Sequence, residues 1–285
     1  MLKQRVITAI VLLAILLPAL FYKTPVPFCT VALLLIAAGA WEWGRLNTLG
    51  QFGSIGLALV CVLVCGLSWY AGLLVKTLPT LWAVAGAGWV LVGGWLLRNG
   101  VLGWPRIPKV LRILGGLVAL WLAWLAVAQA RVIGVPFLLS VLLLVWVADI
   151  FAYFAGRTFG GRFSKGKLAP SISPGKSWEG VWGGMVGVVV LSLFWVWAGD
   201  VSAGGFLAEP TLFSRLTQLH GVAMMLLVIL FLTAMSVVGD LVESLIKRSA
   251  GVKDSSGLLP GHGGILDRVD ALLPTLPLVM MLVTF

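Results

Sequence analysis

The sequence predicts an all-α, polytopic integral membrane protein with about nine transmembrane helices. Of its 285 residues, 60% are hydrophobic and only 11% are charged, whereas soluble domains carry about 25% charged residues. The apolar residues also fall into runs of roughly 20, the length that an α-helix needs to cross the hydrocarbon core of a bilayer. The nine predicted spans are 5–22, 26–43, 52–70, 78–97, 111–129, 133–155, 178–198, 220–246 and 266–285.

The first apolar run is interpreted as a transmembrane span rather than as a cleaved signal peptide. Lys3 and Arg5 precede it, as basic residues precede the apolar core of a signal peptide, but no small-residue cleavage site follows Pro18. A signal peptide needs such a site. The run is therefore counted as the first span.

The spans are predicted to form a single membrane domain over residues 1–285. No internal repeat, low-complexity tract or soluble segment interrupts their order, which is the pattern of one domain. Within it, residues 1–130 are interpreted as N-terminal spans that serve as a packing or dimer scaffold. Residues 131–285 are predicted to hold the catalytic spans and loops.

The positive charges predict the orientation of the chain. If the spans alternate, sixteen Lys and Arg residues lie on the side of the N-terminus, and only Lys23, Lys76, Arg131 and Arg215 lie on the other. Basic residues of membrane proteins concentrate in cytoplasmic loops. The N-terminus is therefore predicted to be cytoplasmic, together with two polar loops, 156–177 and 247–265.

Two other function classes are disfavoured by composition. The net charge of +10 is better explained by orientation signals than by nucleic-acid binding, because the basic residues gather on one side of the membrane. The three cysteines, Cys29, Cys61 and Cys65, all lie in apolar runs without a neighbouring histidine. They are interpreted as buried small hydrophobic residues rather than as a metal or redox site.

The acidic residues mark the candidate site. Seven of the ten lie in or beside the last four spans and their cytoplasmic loops, and an acid inside a membrane is costly unless it is paired or functional. Asp149 shares one helix face with Tyr153, four residues on. Asp240 is followed by Glu243 and Lys247 on one face, so an Asp240–Lys247 or Glu243–Lys247 ion pair is the structural alternative to a role in metal binding.

Asp267 and Asp270 begin the predicted ninth span three residues apart. Two carboxylates on one helix face repel each other unless a cation lies between them. Because only oxygen ligands are available, the cation is predicted to be hard, Mg²⁺ before Ca²⁺ or Zn²⁺. The alternative is a structural network that includes Arg268. The candidate metal ligands are Asp149, Asp240, Asp267 and Asp270.

The two polar loops supply groups that suit phosphate. A Ser173-Pro174-Gly175-Lys176-Ser177 segment precedes the seventh span, and backbone N–H groups at a helix start together with a lysine can bind phosphate. It is not a nucleotide-binding P-loop, because that motif needs glycine at the position of Pro170. The alternative for this loop is a basic patch that orients the protein on anionic headgroups. In the second loop, His262 is either a base or a turn residue.

Carboxylates for a divalent cation, basic groups for phosphate oxygens and glycines for close backbone approach are thus expected at one membrane face. That combination suits phosphoryl or nucleotidyl transfer, in which the protein positions two phosphates and a metal offsets the charge on the leaving group.

The same residues carry a family resemblance. From Ser244 to Asp270 the chain resembles, position by position, the signature of phosphatidate cytidylyltransferases, the CDP-diacylglycerol synthases. The matching residues are Ser244, Lys247-Arg248, Lys253-Asp254, Pro260, His262-Gly263-Gly264, Asp267-Arg268 and Asp270. The resemblance extends upstream to Asp149, Ala152-Tyr153, Gly156-Arg157, Phe159-Gly160, Ser173-Pro174, Lys176-Ser177 and Glu179-Gly180.

The resemblance implies a membrane enzyme that joins CTP to phosphatidic acid and releases pyrophosphate. It also implies a requirement for Mg²⁺, with a second, monovalent cation such as K⁺ as an open alternative, and a homodimer in a bacterial inner membrane with its active site facing the cytoplasm. The implied catalytic residues are Asp240, Lys247, Asp267 and Asp270. The implied substrate contacts are Tyr153, Ser173, Lys176, Arg248, Lys253, His262, Gly263, Gly264 and Arg268.

Two alternatives are weighed against this assignment. A CDP-alcohol phosphotransferase would carry an Asp-rich motif with a paired Asp, Gly and Ala-Arg run, which is absent from the sequence. A secondary transporter of an organic anion would be expected to show inverted half-repeats, and none is apparent. In the preferred mechanism, an ionised phosphate oxygen of phosphatidic acid attacks the α-phosphorus of CTP in line, so no protein nucleophile is needed.

Overall fold

The computed structural model describes residues 2–201, 206 and 209–284. Eight of its helices are long and apolar enough to cross a membrane, which confirms the all-α polytopic fold. They are α1 (Leu2–Phe21), α2 (Val26–Leu46), α3 (Gly50–Tyr70), α4 (Pro79–Gly103), α5 (Lys109–Ile133), α6 (Val135–Phe159), α7 (Trp178–Val201) and α8 (Leu212–Ser249). A 3₁₀ turn, Trp104–Arg106, follows α4, and two shorter helices, α9 (Leu266–Val269) and α10 (Leu272–Thr284), end the chain.

The structure differs from prediction at the ninth span. Instead of one helix over 266–285, the chain is interrupted at Asp270 and Ala271. Asp270 Oδ1 accepts a hydrogen bond of 2.7 Å from the backbone N–H of Ala271, and Pro274 and Pro277 lie in α10, so side-chain capping and missing N–H donors favour a break. The 13 residues of α10 extend about 20 Å, less than the roughly 30 Å hydrocarbon core.

Two glycine kinks set the ends of other spans. Gly100 in α4 has φ 63° and ψ −168°, and Gly221 in α8 has φ 80° and ψ 166°. Both lie close to predicted span ends, at 97 and 220. A positive φ is readily adopted only by glycine, so each kink divides its helix into two segments.

Helix α8 lies at the centre of the half of the molecule that contains the candidate site. It packs against α4, α6, α7 and α10, while α10 also contacts α4 and α5. In the N-terminal half, α2 packs against α3 and α5. The cysteines Cys29, Cys61 and Cys65 are free and buried, as predicted for small hydrophobic residues.

The closest helix pairing joins α6 to α7 through glycines. A Cβ at Gly183 would lie 2.2 Å from the Cβ of Ala155, and a Cβ at Gly187 would lie 2.4 Å from the ring of Phe151. These distances leave no space for a side chain, so the glycines permit the close approach.

We expect Gly183→Val to destabilise the protein by about 1–3 kcal/mol, because the new side chain overlaps α6. The matched control is Gly94→Val on α4, where no atom lies within 4 Å of the position that a Cβ would take. Thermal unfolding of the purified variants in detergent measures the difference. Equal midpoints for the two variants would contradict the role of Gly183.

The N-terminus and both polar loops meet at one end of the bundle. Arg5 Nε donates to the carbonyl of Gly261 at 2.9 Å, and Arg248 Nε donates to the carbonyl of Ile172 at 3.4 Å. A small antiparallel hairpin that was not predicted, β1 (Lys167–Ala169) with β2 (Ser173–Ser177), lies in the first loop. The segment that was expected to bind phosphate, Ser173–Ser177, is therefore a strand that leads directly into α7.

Candidate active site

A cavity of about 420 Å³ opens between α6, α7, α8 and the hairpin. Its polar lining includes Asp149, Tyr153 and Arg157 from α6, Lys176 from β2 and Asp240 from α8. Four of these five were predicted as site residues, and Arg157 was not. The remaining wall is largely apolar, including Val181 and Val237, so the cavity joins charged groups to a hydrophobic interior.

Asp240 is paired with Lys176. Lys176 Nζ lies 2.6 Å from Asp240 Oδ2, and Ser244 Oγ donates to Asp240 Oδ1 at 3.3 Å. The hairpin supplies this cation, because β2 runs antiparallel to β1 and ends at the start of α7. Of the ion pairs that the sequence left open, the structure forms Glu243–Lys247 and not Asp240–Lys247.

Three carboxylates lie within electrostatic range of one another: Asp149 and Asp240 in the cavity lining, and Asp270 outside it. The charge of Asp240 acts on both Asp149 and Asp270, and that of Asp149 acts on Asp270. Asp149 accepts no hydrogen bond within the part of the chain that the structure describes. The described residues nevertheless contain no group of three or more acidic, histidine or cysteine side chains already arranged around an ion.

Lys247 lies between two acids beside the cavity. Its Nζ forms an ion pair with Glu243 and lies 2.5 Å from Asp267 Oδ1. Its side chain is buried among α8 and the loop and does not line the cavity. Lys247 is therefore placed to hold α8 to the segment that begins α9.

Asp267 is turned towards the glycine-rich loop, residues 250–265 between α8 and α9. Its Oδ2 accepts hydrogen bonds from the backbone N–H of Gly264 at 2.7 Å and from the N–H and Oγ of Ser255, both at 2.9 Å. Burial raises the pKa of Asp267, but Lys247 and these donors lower it by more, so the net pKa lies below its ordinary value. Both Asp267 oxygens thus have protein partners, and the sharing of one ion by Asp267 and Asp270 stays a prediction.

The other predicted residues lie around the loop, outside the cavity lining. Arg268 donates to the carbonyl of His262, while Gly263 has φ +81° and faces Asp267. Lys253 is exposed. The predicted residues that do not line the cavity are Ser173, Lys247, Arg248, Lys253, His262, Gly263, Gly264, Asp267, Arg268 and Asp270.

Comparison with known proteins identifies the family. The model of the Cytidylyltransferase family matches residues 3–285. The chain belongs to this family. The match includes the five N-terminal spans, which precede all the residues that carry the resemblance.

Several bacterial relatives of the cytidylyltransferase-family chain are named phosphatidate cytidylyltransferase. One from Pseudomonas aeruginosa is 38% identical, and the alignment covers 97% of this chain and 95% of that protein. One from Haemophilus influenzae is 35% identical over 97% of this chain and 96% of that protein. One from Brucella abortus is 35% identical over 98% of this chain and 92% of that protein.

One residue of the candidate site in this cytidylyltransferase-family chain was missed by sequence reasoning. Glu42, near the end of α2, is fully buried. Its Oε2 accepts from the N–H of Leu266 at 2.8 Å and from Ser255 Oγ at 3.1 Å, while its Oε1 accepts from the N–H of Ile265 at 2.9 Å and from Ser256 Oγ at 2.5 Å. An acid in an otherwise apolar span was the available signal.

Glu42 thus holds both ends of the glycine-rich loop against α2. Its carboxylate and the carboxylate of Asp267 share Ser255 Oγ as a neighbour. A residue of the predicted scaffold half therefore helps to position the loop of the predicted catalytic half, although the division itself stays a prediction.

The crowding around Glu42 requires glycine at position 264. A Cβ there would lie 2.1 Å from Ser255 Oγ and 2.3 Å from Glu42 Oε1. We expect Gly264→Ala to lower activity at least about tenfold and to lower the unfolding temperature, because the loop must move off Glu42.

Gly257→Ala is the control for that substitution, since it lies in the same loop with no atom within 4 Å of the added carbon. Activity assays and thermal unfolding compare the two. Full activity of Gly264→Ala would contradict the packing described.

Glu179, which carries part of the family resemblance but was given no site role, shapes the first loop. It lies in the first turn of α7, and its Oε1 accepts from the backbone N–H groups of Phe163 at 3.1 Å and Ser164 at 2.8 Å. Its position at the start of the seventh span was readable from the sequence, but its partners, fifteen and sixteen residues away, were not.

Proposed function

We propose that the protein is a phosphatidate cytidylyltransferase, which converts CTP and phosphatidic acid into CDP-diacylglycerol and pyrophosphate for phospholipid synthesis. The observation that carries the proposal is the cavity where Asp149, Asp240 and Lys176 meet at the end of the bundle, in a chain whose relatives bear that name. The proposed setting is the bacterial inner membrane, with this end facing the cytoplasm.

Mg²⁺ is the proposed cofactor, and the donor set fits it. Carboxylates are its usual protein ligands, and it commonly takes only one or two of them together with substrate phosphates, so a complete protein cage is not required. Asp149, Asp240 and Asp270 would hold it. When bound, it would offset negative charge on the phosphates of CTP.

Charge balance also supports a cation at this site. Five carboxylates lie near only two ammonium groups, those of Lys176 and Lys247. A bound cation would offset the repulsion among these acids, and a second, monovalent cation such as K⁺ stays an open alternative. The carboxylates are Asp149, Asp240, Glu243, Asp267 and Asp270. Asp267 could bind the metal only if its carboxylate released Lys247 and Ser255 and contacted the cation instead.

In the proposed reaction a phosphate oxygen of phosphatidic acid forms a bond to the α-phosphorus of CTP. The bond from that phosphorus to the bridging oxygen of the β-phosphate breaks, and pyrophosphate leaves with the electron pair. Lys176 transfers its contact from Asp240 to a phosphate oxygen, and Arg157 and Tyr153 orient the phosphates from α6. No covalent enzyme intermediate is involved, consistent with the absence of cysteine from the described lining of the cavity.

The test uses purified protein with CTP, phosphatidic acid and Mg²⁺. With label in the cytidine, labelled lipid should appear, and pyrophosphate should be released in equal amount. EDTA should abolish both. A transporter would form neither product, and a CDP-alcohol phosphotransferase would consume CDP-diacylglycerol instead, so the absence of labelled lipid would contradict the proposal.

A homodimer is also proposed, on the family resemblance alone. Native mass spectrometry of the protein in detergent would show twice the chain mass if the proposal is right. A chain-sized mass at all protein concentrations would contradict it.

A further inference from the structure

A second cavity, of about 670 Å³, lies between α4, α5 and α8. Gly239, Val242 and Ile246 of α8 form its inner wall, whereas the first cavity uses Val237 and Asp240. Helix α8 therefore separates the two. We call the second cavity the α4–α5 groove.

The groove opens sideways, towards the acyl chains of a bilayer. Val92, Leu111 and Val118 line it and are 55%, 59% and 48% exposed. Gly88 and Gly115 also line it, with no atom within 4 Å of where a Cβ would lie. Because glycine has no side chain, these two positions deepen the groove. The lining of the groove is almost wholly apolar.

Arg112 lies at the cytoplasmic end of the groove without an anionic partner. Its Nε is buried and makes no hydrogen bond, and the described part of the chain offers its guanidinium no ion pair, only the ring of Trp104 at 5.8 Å. Arg112 is half-buried, and partial desolvation of a cation without a partner carries a cost. The arrangement therefore favours an external anion.

The surrounding sequence supplies no neutralising acid. Residues 43–148 contain no Asp or Glu, while Arg106 and Lys109 flank the same end of α5. Glu243 does line the groove, but it is paired with Lys247. The end of the groove therefore carries uncompensated positive charge.

We propose that the α4–α5 groove binds one anionic glycerophospholipid of the inner leaflet. Its phosphate would contact Arg112, since guanidinium groups bind phosphate with two hydrogen bonds. An acyl chain would lie along α5 from Arg112 to Leu122, both of which line the groove. That distance is about 15 Å, half of a roughly 30 Å hydrocarbon core and so the depth of one leaflet. The site is independent of the proposed catalytic cavity.

Photo-crosslinking tests this site without an activity readout. The full-length protein is mixed in detergent with phosphatidylglycerol that carries a diazirine on one acyl chain, and adducts are mapped by mass spectrometry. Phosphatidylglycerol has no phosphomonoester and so does not act as the proposed substrate. We expect adducts on α4 and α5 residues of the groove, and much weaker labelling by the same probe with a choline headgroup, which places a cation beside Arg106 and Lys109.

Arg112→Gln is expected to lower the apparent affinity for the probe at least about tenfold, as loss of a charged hydrogen-bonded contact should. Arg98→Gln is the matched control, because Arg98 is exposed and does not line the groove. Gly115→Phe fills the groove without changing charge and should reduce the adducts as well. Unfolding profiles identify any variant that fails to fold, and the remaining variants decide the outcome.

Three results would overturn the proposal. The first is labelling that Arg112→Gln and Gly115→Phe leave unchanged. The second is equal labelling by the choline probe. The third is protection of the groove by a second copy of the chain, seen as absent lipid adducts together with efficient disulfide cross-linking between copies of Val118→Cys.

Discussion

Asp240→Asn is expected to reduce CDP-diacylglycerol formation by about 100-fold or more while the protein remains folded. The substitution removes the charge that holds Lys176 at 2.6 Å and the central carboxylate of the three that interact at the cavity. Loss of one preorganised electrostatic contact at a reacting centre costs enzymes a factor of this order. Turnover of labelled CTP by purified protein measures it.

The control is Glu209→Gln, which makes the same chemical change at an exposed acid outside the site. It should retain full activity. If the activity of Asp240→Asn equalled that of this control, the cavity would not be the site of nucleotidyl transfer, even though the chain belongs to the Cytidylyltransferase family.

Glu42→Ala is expected to release the glycine-rich loop from α2. The variant leaves the Ser256 hydroxyl and the backbone N–H groups of Ile265 and Leu266 without their acceptor, while Ser255 keeps Asp267. Each buried donor without a partner costs about 1–3 kcal/mol. We therefore expect a lower unfolding temperature, an activity loss of at least about tenfold, and faster cleavage by trypsin after exposed Lys253 in the loop.

Glu42→Gln provides a graded comparison. It keeps the size of the side chain and one acceptor oxygen, but its NH₂ group faces a backbone N–H that cannot accept from it, whereas the neighbouring serine hydroxyl can. Its effect should lie between those of the wild-type residue and alanine. Unchanged trypsin cleavage in both variants would show that Glu42 does not position the loop.

The acids of the last spans show how far sequence reasoning reached. Asp149 and Asp240 could both be predicted as site residues, because a carboxylate on an apolar helix needs a partner. Their counter-ion could not, since Lys176 reaches Asp240 only through a hairpin whose pairing is a long-range property. The predicted pairing of Asp267 with Asp270 assumed an uninterrupted helix, and the break at Asp270 and the donors of the loop directed Asp267 elsewhere.

The sequence by itself determined that the chain crosses the membrane many times and that the site groups gather at one end. Hydropathy, charge asymmetry and the spacing of acids are local properties, and they suffice for those conclusions. Only the tertiary structure decided which carboxylate pairs with which cation, that Glu42 holds the glycine-rich loop, and that Arg112 faces an apolar groove. Those contacts join residues far apart in the chain, and their geometry depends on how the helices pack.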